Sequence, residues 1–377
     1  NTINNLPAWV LLSALTGYIT IKQPKFVLEY FYNNVYNKEQ VEGYLFSIVT
    51  KTVRINCCNF DKECQMKLFH DLFHPLSNFS VPTYLISEYS DICNIIIKEQ
   101  GSVDEYSDQW PGEIIQNGEL KLKGEIDCDI KDEELVKRII CTLGNCLSVC
   151  PNKQSSSIIA PLLKNLIETT SLAKNKVQGV TYWQGRASPQ LKAIVVITLG
   201  KISLQSHDIA KQLVPVFNNL LKASVQKEIR VNAMIALTDL CIRFTSLTEP
   251  YIPYMCICLK DKDDTIRQRT LSLFIDLIQQ DYLKLRCPLF FHLLVVLNDS
   301  NMEIRTKLKS FIVNTVVAKN KKVMLQYFVE SFYHYNRHQI DSTTELETSM
   351  SYREEFLFTL AGNKQATQRR NIYKFML

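Results

Sequence analysis

The sequence predicts an all-α fold in which helical hairpins stack into an α-solenoid. A pattern of an apolar run, a short polar turn and a second apolar run at helical spacing is written three times between residues 209 and 317. The chain of 377 residues has only 11 glycines and 12 prolines, which favours long helices over many short strands. Its length exceeds the usual single globular core, whereas a solenoid has no such ceiling because each repeat contacts only its neighbours.

Each copy of the pattern carries an apolar run and an Ile-Arg pair. The runs end at leucines 38 residues apart, namely Leu221, Leu259 and Leu297. The Ile-Arg pairs recur after 37 and 38 residues and contain Arg230, Arg267 and Arg305. Asp261 and Asp299 stand six residues before the last two arginines, and the first copy has Ser224 there. We expect these aspartates to cap the incoming helix and to pair with an arginine of their own or the next repeat, as in HEAT repeats, which the segment resembles.

The rest of the chain is predicted to extend the solenoid in both directions. Residues 1–100 hold divergent helix pairs, and residues 101–132 form an acidic, largely disordered loop without periodicity. Residues 133–338 form the repeat region, and residues 339–377 a polar loop followed by C-terminal helices. We expect one continuous solenoid, and a fragment of a longer protein because no Met begins it. The N-terminal helices are predicted at about 7–20, 24–36, 39–54, 62–73 and 81–98.

Two helices of the repeat region share a Thr-Leu-Gly motif that ends at Gly144 and Gly200. A glycine inside a helix costs about 1 kcal/mol, so its presence predicts close approach of a neighbouring helix. The two motifs are 56 residues apart, and an insertion at about residues 170–189 accounts for the excess over 38.

Basic side chains outside the repeated arginines are the candidate contacts to nucleic acid. The net charge of +5 conceals an acidic stretch at residues 101–134, with 11 Asp or Glu against 3 Lys, so the remainder is basic. A basic body suits a polyanion, although a solvated face is the commoner cause of such charge. The repeated arginines are interpreted as structural. The candidates for phosphate contact are Lys307, Lys309, Lys319, Lys321, Lys322, Arg369, Arg370 and Lys374.

The sequence lacks motifs for catalysis or for binding a cofactor. It contains no Gly-rich phosphate loop, His-Glu-x-x-His, Gly-x-Ser-x-Gly or kinase signature. One set of cysteines and histidines has i, i+4 histidines but no Cys-x-x-Cys, so we favour a structural helix surface over a zinc site. This set is Cys57, Cys58, Cys64, His70 and His74. Cysteines within apolar runs indicate a reducing compartment, and no apolar stretch approaches the ~18 residues of a membrane span.

Several stretches resemble the non-SMC HEAT subunits of condensin. They are residues 191–201, 238–244, 251–253 and 258–261, with Ile266 and Arg267. Residues 327–336, 358–362 and 369–375 resemble the D-three type of condensin-2 and not its condensin-1 counterpart. The resemblance covers most of residues 133–377 and the first hundred loosely.

The resemblance implies a scaffold in the nucleus and on mitotic chromosomes, without enzymatic activity or cofactor. Its expected partners are the condensin-2 kleisin subunit, the SMC ATPase subunits through the complex, and duplex DNA or chromatin, with no membrane and no small-molecule substrate. A HEAT adaptor that binds peptides in nuclear transport or phosphatase assembly is the alternative, and it would show no appreciable duplex binding. A DNA base glycosylase would need a carboxylate and aromatic residues that converge, and none of the three tryptophans has an evident acidic partner.

Overall fold

The computed structural model describes residues 6–19, 21–36, 42–99, 109–127, 132–149, 159–168, 187–222, 225–336 and 360–377. Within these ranges the fold is all-α and contains no β-strand, which confirms the predicted class. The chain divides into two compact units, Asn1–Gln205 and Ser206–Leu377. The expectation of one continuous solenoid concerns both units together and stays a prediction.

The first unit is a stack of helical hairpins. Its helices are α1 (Leu6–Leu15), α2 (Lys25–Phe31), α3 (Gly43–Asn56), α4 (Lys62–Ser77), α5 (Ile86–Glu99), α6 (Gln109–Asp127), α7 (Glu133–Val149), α8 (Ile159–Glu168) and α9 (Pro189–Ser203). The second helices of successive hairpins pack side by side, α3 on α5, α5 on α7 and α7 on α9, while the first helices α4 and α6 also pack together. The five helices predicted in residues 1–100 are therefore confirmed, with ends that differ by a few residues.

The predicted acidic loop is wrong over most of its length. Residues 109–127 form α6, which packs against α4 and α7 and so supplies the first helix of a hairpin. Trp110, Ile114, Leu122 and Ile126 are buried at multiples of four residues, and Gly118 fills the remaining place in that row. A Cβ at Gly118 would lie 2.8 Å from the Leu143 side chain, so the glycine permits close packing on α7. Residues 101–108 and 128–131 lie outside the described residues.

Helix α4 runs beyond the end predicted for it at about residue 73. It continues through Pro75 to Ser77. Proline has no N–H to donate to the carbonyl four residues earlier, and the hydroxyl of Tyr36 donates to that oxygen of Asp71 instead, at 2.6 Å. The chain then turns at Phe79, whose φ of 57° is unusual for a bulky residue and whose side chain is buried.

The Thr-Leu-Gly helices α7 and α9 approach each other closely, as predicted for Gly144. A Cβ at Gly144 would lie 2.9 Å from the Thr198 hydroxyl oxygen, and that hydroxyl donates to the Ile140 carbonyl at 3.2 Å. The Lys201 ammonium donates to the Asn145 side chain at 2.5 Å across the same interface. The proposed insertion before α9 falls largely at residues 169–186, outside the described residues.

The second unit contains the three clear repeats. Its helices are α10 (His207–Leu220), α11 (Lys227–Arg243), α12 (Thr245–Thr248), α13 (Ile252–Ile257), α14 (Asp264–Gln279), α15 (Cys287–Val295), α16 (Met302–Phe311), α17 (Val323–Asn336) and α18 (Ala366–Met376). Helices α11, α14 and α16 are the second helices of the three hairpins, and each packs on the next. The first helices α13 and α15 also pack together, and α15 packs in turn on α17. The predicted polar loop lies mostly at residues 337–359, outside the described residues.

The arginine–aspartate ladder and candidate interaction surfaces

The aspartates of the repeat close the turns within hairpins and do not cap the helices. The carboxylates of Asp261 and Asp299 each accept a hydrogen bond from the backbone N–H two residues later, at 2.9 and 2.8 Å. Those later residues, Asp263 and Asn301, are the N-caps, and their side chains accept from the second amide of α14 and α16. The capping role expected for Asp261 and Asp299 is wrong because both stand too far ahead of the first helical residue.

Arginines of one repeat pair with aspartates of the next. Arg230 donates from Nη1 to Asp261 Oδ2. Arg267 binds Asp299 through two parallel bonds, Nε to Oδ2 at 2.7 Å and Nη2 to Oδ1 at 3.0 Å. The carboxylates are 6% and 4% exposed, so these charge-assisted bonds are shielded from water. We call this set, with Arg305, the ladder.

The ladder arginines also bind the backbone of their own turns. Arg267 Nη1 donates to the Asp261 and Lys262 carbonyl oxygens at 2.8 and 3.2 Å. Arg305 Nη1 donates to the two equivalent carbonyl oxygens of its turn. Arg267 thus joins two consecutive turns with one guanidinium, whereas Arg305 has no carboxylate partner in the part of the chain that the structure describes. Ser224 lies outside the described residues.

Lys309 on α16 is exposed, whereas the equivalent position one repeat earlier is buried. Leu271 and Ile275 on α14 are buried, 0% and 6% exposed. The residues 38 positions later are Lys309 and Val313, of which Lys309 is exposed and Val313 is 54% exposed. The last clear repeat therefore carries an exposed cation where the preceding repeat buries a leucine.

Three of the eight candidate phosphate contacts already bind protein atoms. The Lys307 ammonium donates to the Ser272 hydroxyl at 2.7 Å, and the Lys319 ammonium to Asp281 Oδ1 at 3.1 Å. Arg369 Nη1 donates to the carbonyl oxygens of Leu360 and Gly362. Arg369 therefore holds the chain that leads into α18, which only the folded structure could reveal.

The other candidate cations are exposed. Lys321 and Lys322 lie in the turn before α17, and Arg370 and Lys374 lie one turn apart on α18, so each pair presents two neighbouring positive charges. Together with Lys309 they occupy three separate elements.

His292 is a buried titratable group on α15, 4% exposed. Burial lowers the pKa of His292 to about 3, and the nearby His334 and Lys260 add to the shift. The imidazole is therefore neutral near pH 7.

The cysteines and histidines considered for zinc do not assemble into a site. The buried Cys57 thiol donates to the Arg54 carbonyl at 3.0 Å, Cys58 and His70 are exposed, and His74 lies 3.3 Å from the Asn78 amide nitrogen. Among the residues whose placement is described, no three potential ligands converge to hold a metal ion. In the described ranges no helix has the length and apolar character needed to cross a bilayer.

Two family models match the chain. Residues 133–221 match "Condensin-2 complex subunit D3-like, HEAT repeats", and residues 228–374 match "non-SMC mitotic condensation complex subunit 1". The second match spans the ladder. The chain belongs to the HEAT-repeat non-SMC subunits of condensin. The family resemblance seen in the sequence is confirmed.

Relatives of this condensin subunit family extend the similarity to the first hundred residues. The condensin-2 complex subunit D3-L of Xenopus laevis is 27% identical and the condensin-2 complex subunit D3 of Mus musculus 29% identical, each over 100% of this chain and 26% of its own length. The condensin-2 complex subunit CAP-D3 of Arabidopsis thaliana is 29% identical over 66% of the chain and 20% of its own length. The chain thus spans about a quarter of the first two relatives.

Proposed function

We propose that this condensin HEAT subunit is a non-catalytic scaffold of condensin-2, acting in the nucleus in mitotic chromosome condensation. Its partners are the kleisin subunit, duplex DNA or chromatin and, through the complex, the SMC ATPase subunits. The observation that carries the proposal is the ladder, because a guanidinium that binds two consecutive turns fixes the relative position of successive hairpins. A fixed stack of hairpins offers a large preformed surface for other macromolecules.

Support for the condensin-2 assignment comes from the named relatives, all three of which are condensin-2 subunits and two of which match along the whole chain. An adaptor in nuclear transport or phosphatase assembly is not favoured, because both family models are of condensin subunits. The test is purification of the tagged full-length protein from mitotic cells. We expect the kleisin and both SMC subunits to copurify in near-equal amounts, and a preparation that lacks them would overturn the assignment.

The DNA-binding part of the proposal rests on the exposed cations. Lys321 and Lys322 bind no carboxylate among the described residues and are free to neutralise phosphates, whereas Lys319 already pairs with Asp281. We expect Lys321→Gln with Lys322→Gln to reduce the slope of log affinity against log salt for duplex DNA by about 2, and Lys319→Gln to change it less. Filter binding of a duplex at several salt concentrations measures the slope. Equal slopes for the wild type and the double variant would show that these lysines do not contact the phosphates of DNA.

A further inference from the structure

A cleft of about 340 Å³ opens between α13 and α15, the first helices of two successive hairpins. Five of its lining residues are each less than a tenth exposed, and we call them its floor: Ile252, Cys256, Leu283, Leu289 and His292. The lining is predominantly apolar. The volume is about twice that of an apolar cavity that admits benzene, so one or two large apolar side chains fit. We call it the α13–α15 cleft.

The loop that borders the cleft is held in a defined conformation. It begins at the end of α14 with a Schellman motif, in which Asp281 N–H donates to the Ile278 carbonyl at 3.2 Å and Tyr282 N–H to the Leu277 carbonyl at 3.0 Å. Asp281 has a φ of 60°, as that motif requires. The loop directs Tyr282, 40% exposed, to the opening, so the cleft is preformed and an occupant need not order it.

Two acidic and two basic side chains line the cleft, and both acidic ones are already paired. Glu249 pairs with Arg286 at 3.1 Å, and Asp281 pairs with Lys319 at 3.1 Å. Lys284 also lines the cleft, is exposed, and makes no ion pair with any described residue. An occupant that carries a carboxylate beside its apolar group would therefore match both the floor and the rim.

We propose that the α13–α15 cleft binds an extended peptide segment of a partner protein, in which bulky apolar side chains are flanked by acidic residues. The apolar side chains enter the cleft and an acidic neighbour pairs with Lys284 at the rim. A protein segment is favoured over a small ligand because the charged groups stand at the rim, where a chain passing over the opening meets them. The inference deepens the scaffold role proposed above and rests on it.

The test is fluorescence anisotropy of labelled peptides titrated with the full-length protein. The probe is Gly-Ser-Asp-Glu-Phe-Leu-Asp-Ser-Gly. One comparison peptide has lysines in place of its acids, and a second has serines in place of Phe and Leu. We expect the charge-reversed peptide to bind about tenfold more weakly and the serine peptide at least about 30-fold more weakly. Lys284→Glu should weaken binding of the probe about tenfold, and Tyr282→Ser about threefold.

Matched controls apply the same changes to exposed residues outside the cleft, Lys51→Glu and Tyr333→Ser, which should leave the affinity unchanged. Circular dichroism checks that each variant is folded. Absence of probe binding, equal affinity for the charge-reversed peptide, or insensitivity to both cleft variants would overturn the proposal. A dimer in light scattering that Tyr282→Ser dissociates would also overturn it, since a second copy would then fill the cleft.

The two proposals can be rejected independently of each other. The peptide titration uses the purified full-length protein alone, whereas copurification uses the assembled complex. Loss of probe binding with intact copurification rejects the cleft alone. Probe binding with no kleisin or SMC partner rejects the condensin-2 assignment and leaves a peptide-binding HEAT protein.

Discussion

Replacement of Asp299 by alanine removes three hydrogen bonds at one rung of the ladder. Two come from the guanidinium of Arg267, at 2.7 and 3.0 Å, and one from the Asn301 N–H, at 2.8 Å. Bonds to charged groups contribute about 1.5–3 kcal/mol each, but the variant also avoids the cost of desolvating a carboxylate. Removing one partner from a buried pair costs about 3–5 kcal/mol, because the other charge stays buried. We expect that loss for Asp299→Ala, since Arg267 is only 11% exposed.

Hydrogen exchange of the full-length chain is the appropriate assay, because it reports local opening without assuming two-state unfolding. A loss of 3–5 kcal/mol corresponds to exchange about two to four orders of magnitude faster at the amides of α14 and α16. Glu249→Ala is the control, since it breaks an ion pair whose side chains are more than half exposed and should cost less than about 1 kcal/mol.

The double variant Arg267→Met with Asp299→Leu tests the cause. If the loss comes from an unpaired buried charge, replacing both partners by apolar residues recovers most of it. The reasoning is refuted if Asp299→Ala accelerates exchange no more than Glu249→Ala, or if the double variant exchanges as fast as the single one.

Three further predictions concern other parts of the chain. Gly144→Ala should lower the free energy of unfolding by about 1–2 kcal/mol despite the better helix propensity of alanine, because the added Cβ would lie 2.9 Å from the Thr198 hydroxyl. Urea unfolding measures this change, and a stabilised variant would contradict the prediction. The pKa of His292 is about 3 in the fold and about 6.5 when unfolded, so the contribution of this residue to stability is constant above pH 6.5 and becomes unfavourable as the pH drops below it. His292→Met should reduce the loss between pH 6.5 and 5 by about 2 kcal/mol, and replacement of the exposed His70 by Gln should not. Arg369→Ala should accelerate hydrogen exchange in α18 by at least about tenfold, whereas Arg370→Ala should leave α18 protected; equal effects would contradict the structural role of the first arginine.

Periodicity carried the correct part of the sequence interpretation. Leucines and arginines recurring at 37 or 38 residues predicted the three hairpins, because the same packing contacts are needed once per repeat. The Thr-Leu-Gly motif predicted a close helix contact at Gly144 for a similar reason, since only a missing side chain lets two backbones approach. Both signals can be read from the order and spacing of residue types along the chain.

Features that depend on tertiary contacts could not be predicted. Helix α6 has apolar residues at every fourth position except Gly118, but its acidic and glycine-rich composition concealed that row, and packing on α4 and α7 stabilises it. Arg369 and Arg370 are indistinguishable in the sequence, yet one binds backbone carbonyls and the other is exposed. Lys309 is exposed although the equivalent residue of the preceding repeat, Leu271, is buried, so the repeat alone does not predict its exposure.

The guanidinium of Arg267 has a mechanical consequence. A tension that pulls neighbouring hairpins apart must break several short hydrogen bonds of this guanidinium at once. Hydrogen bonds are directional and weaken steeply when they are stretched or bent, so they extend little before they break. Bending under load should therefore concentrate where this reinforcement is missing, as it is beside Arg305 among the described residues, so stiffness varies from one hairpin to the next.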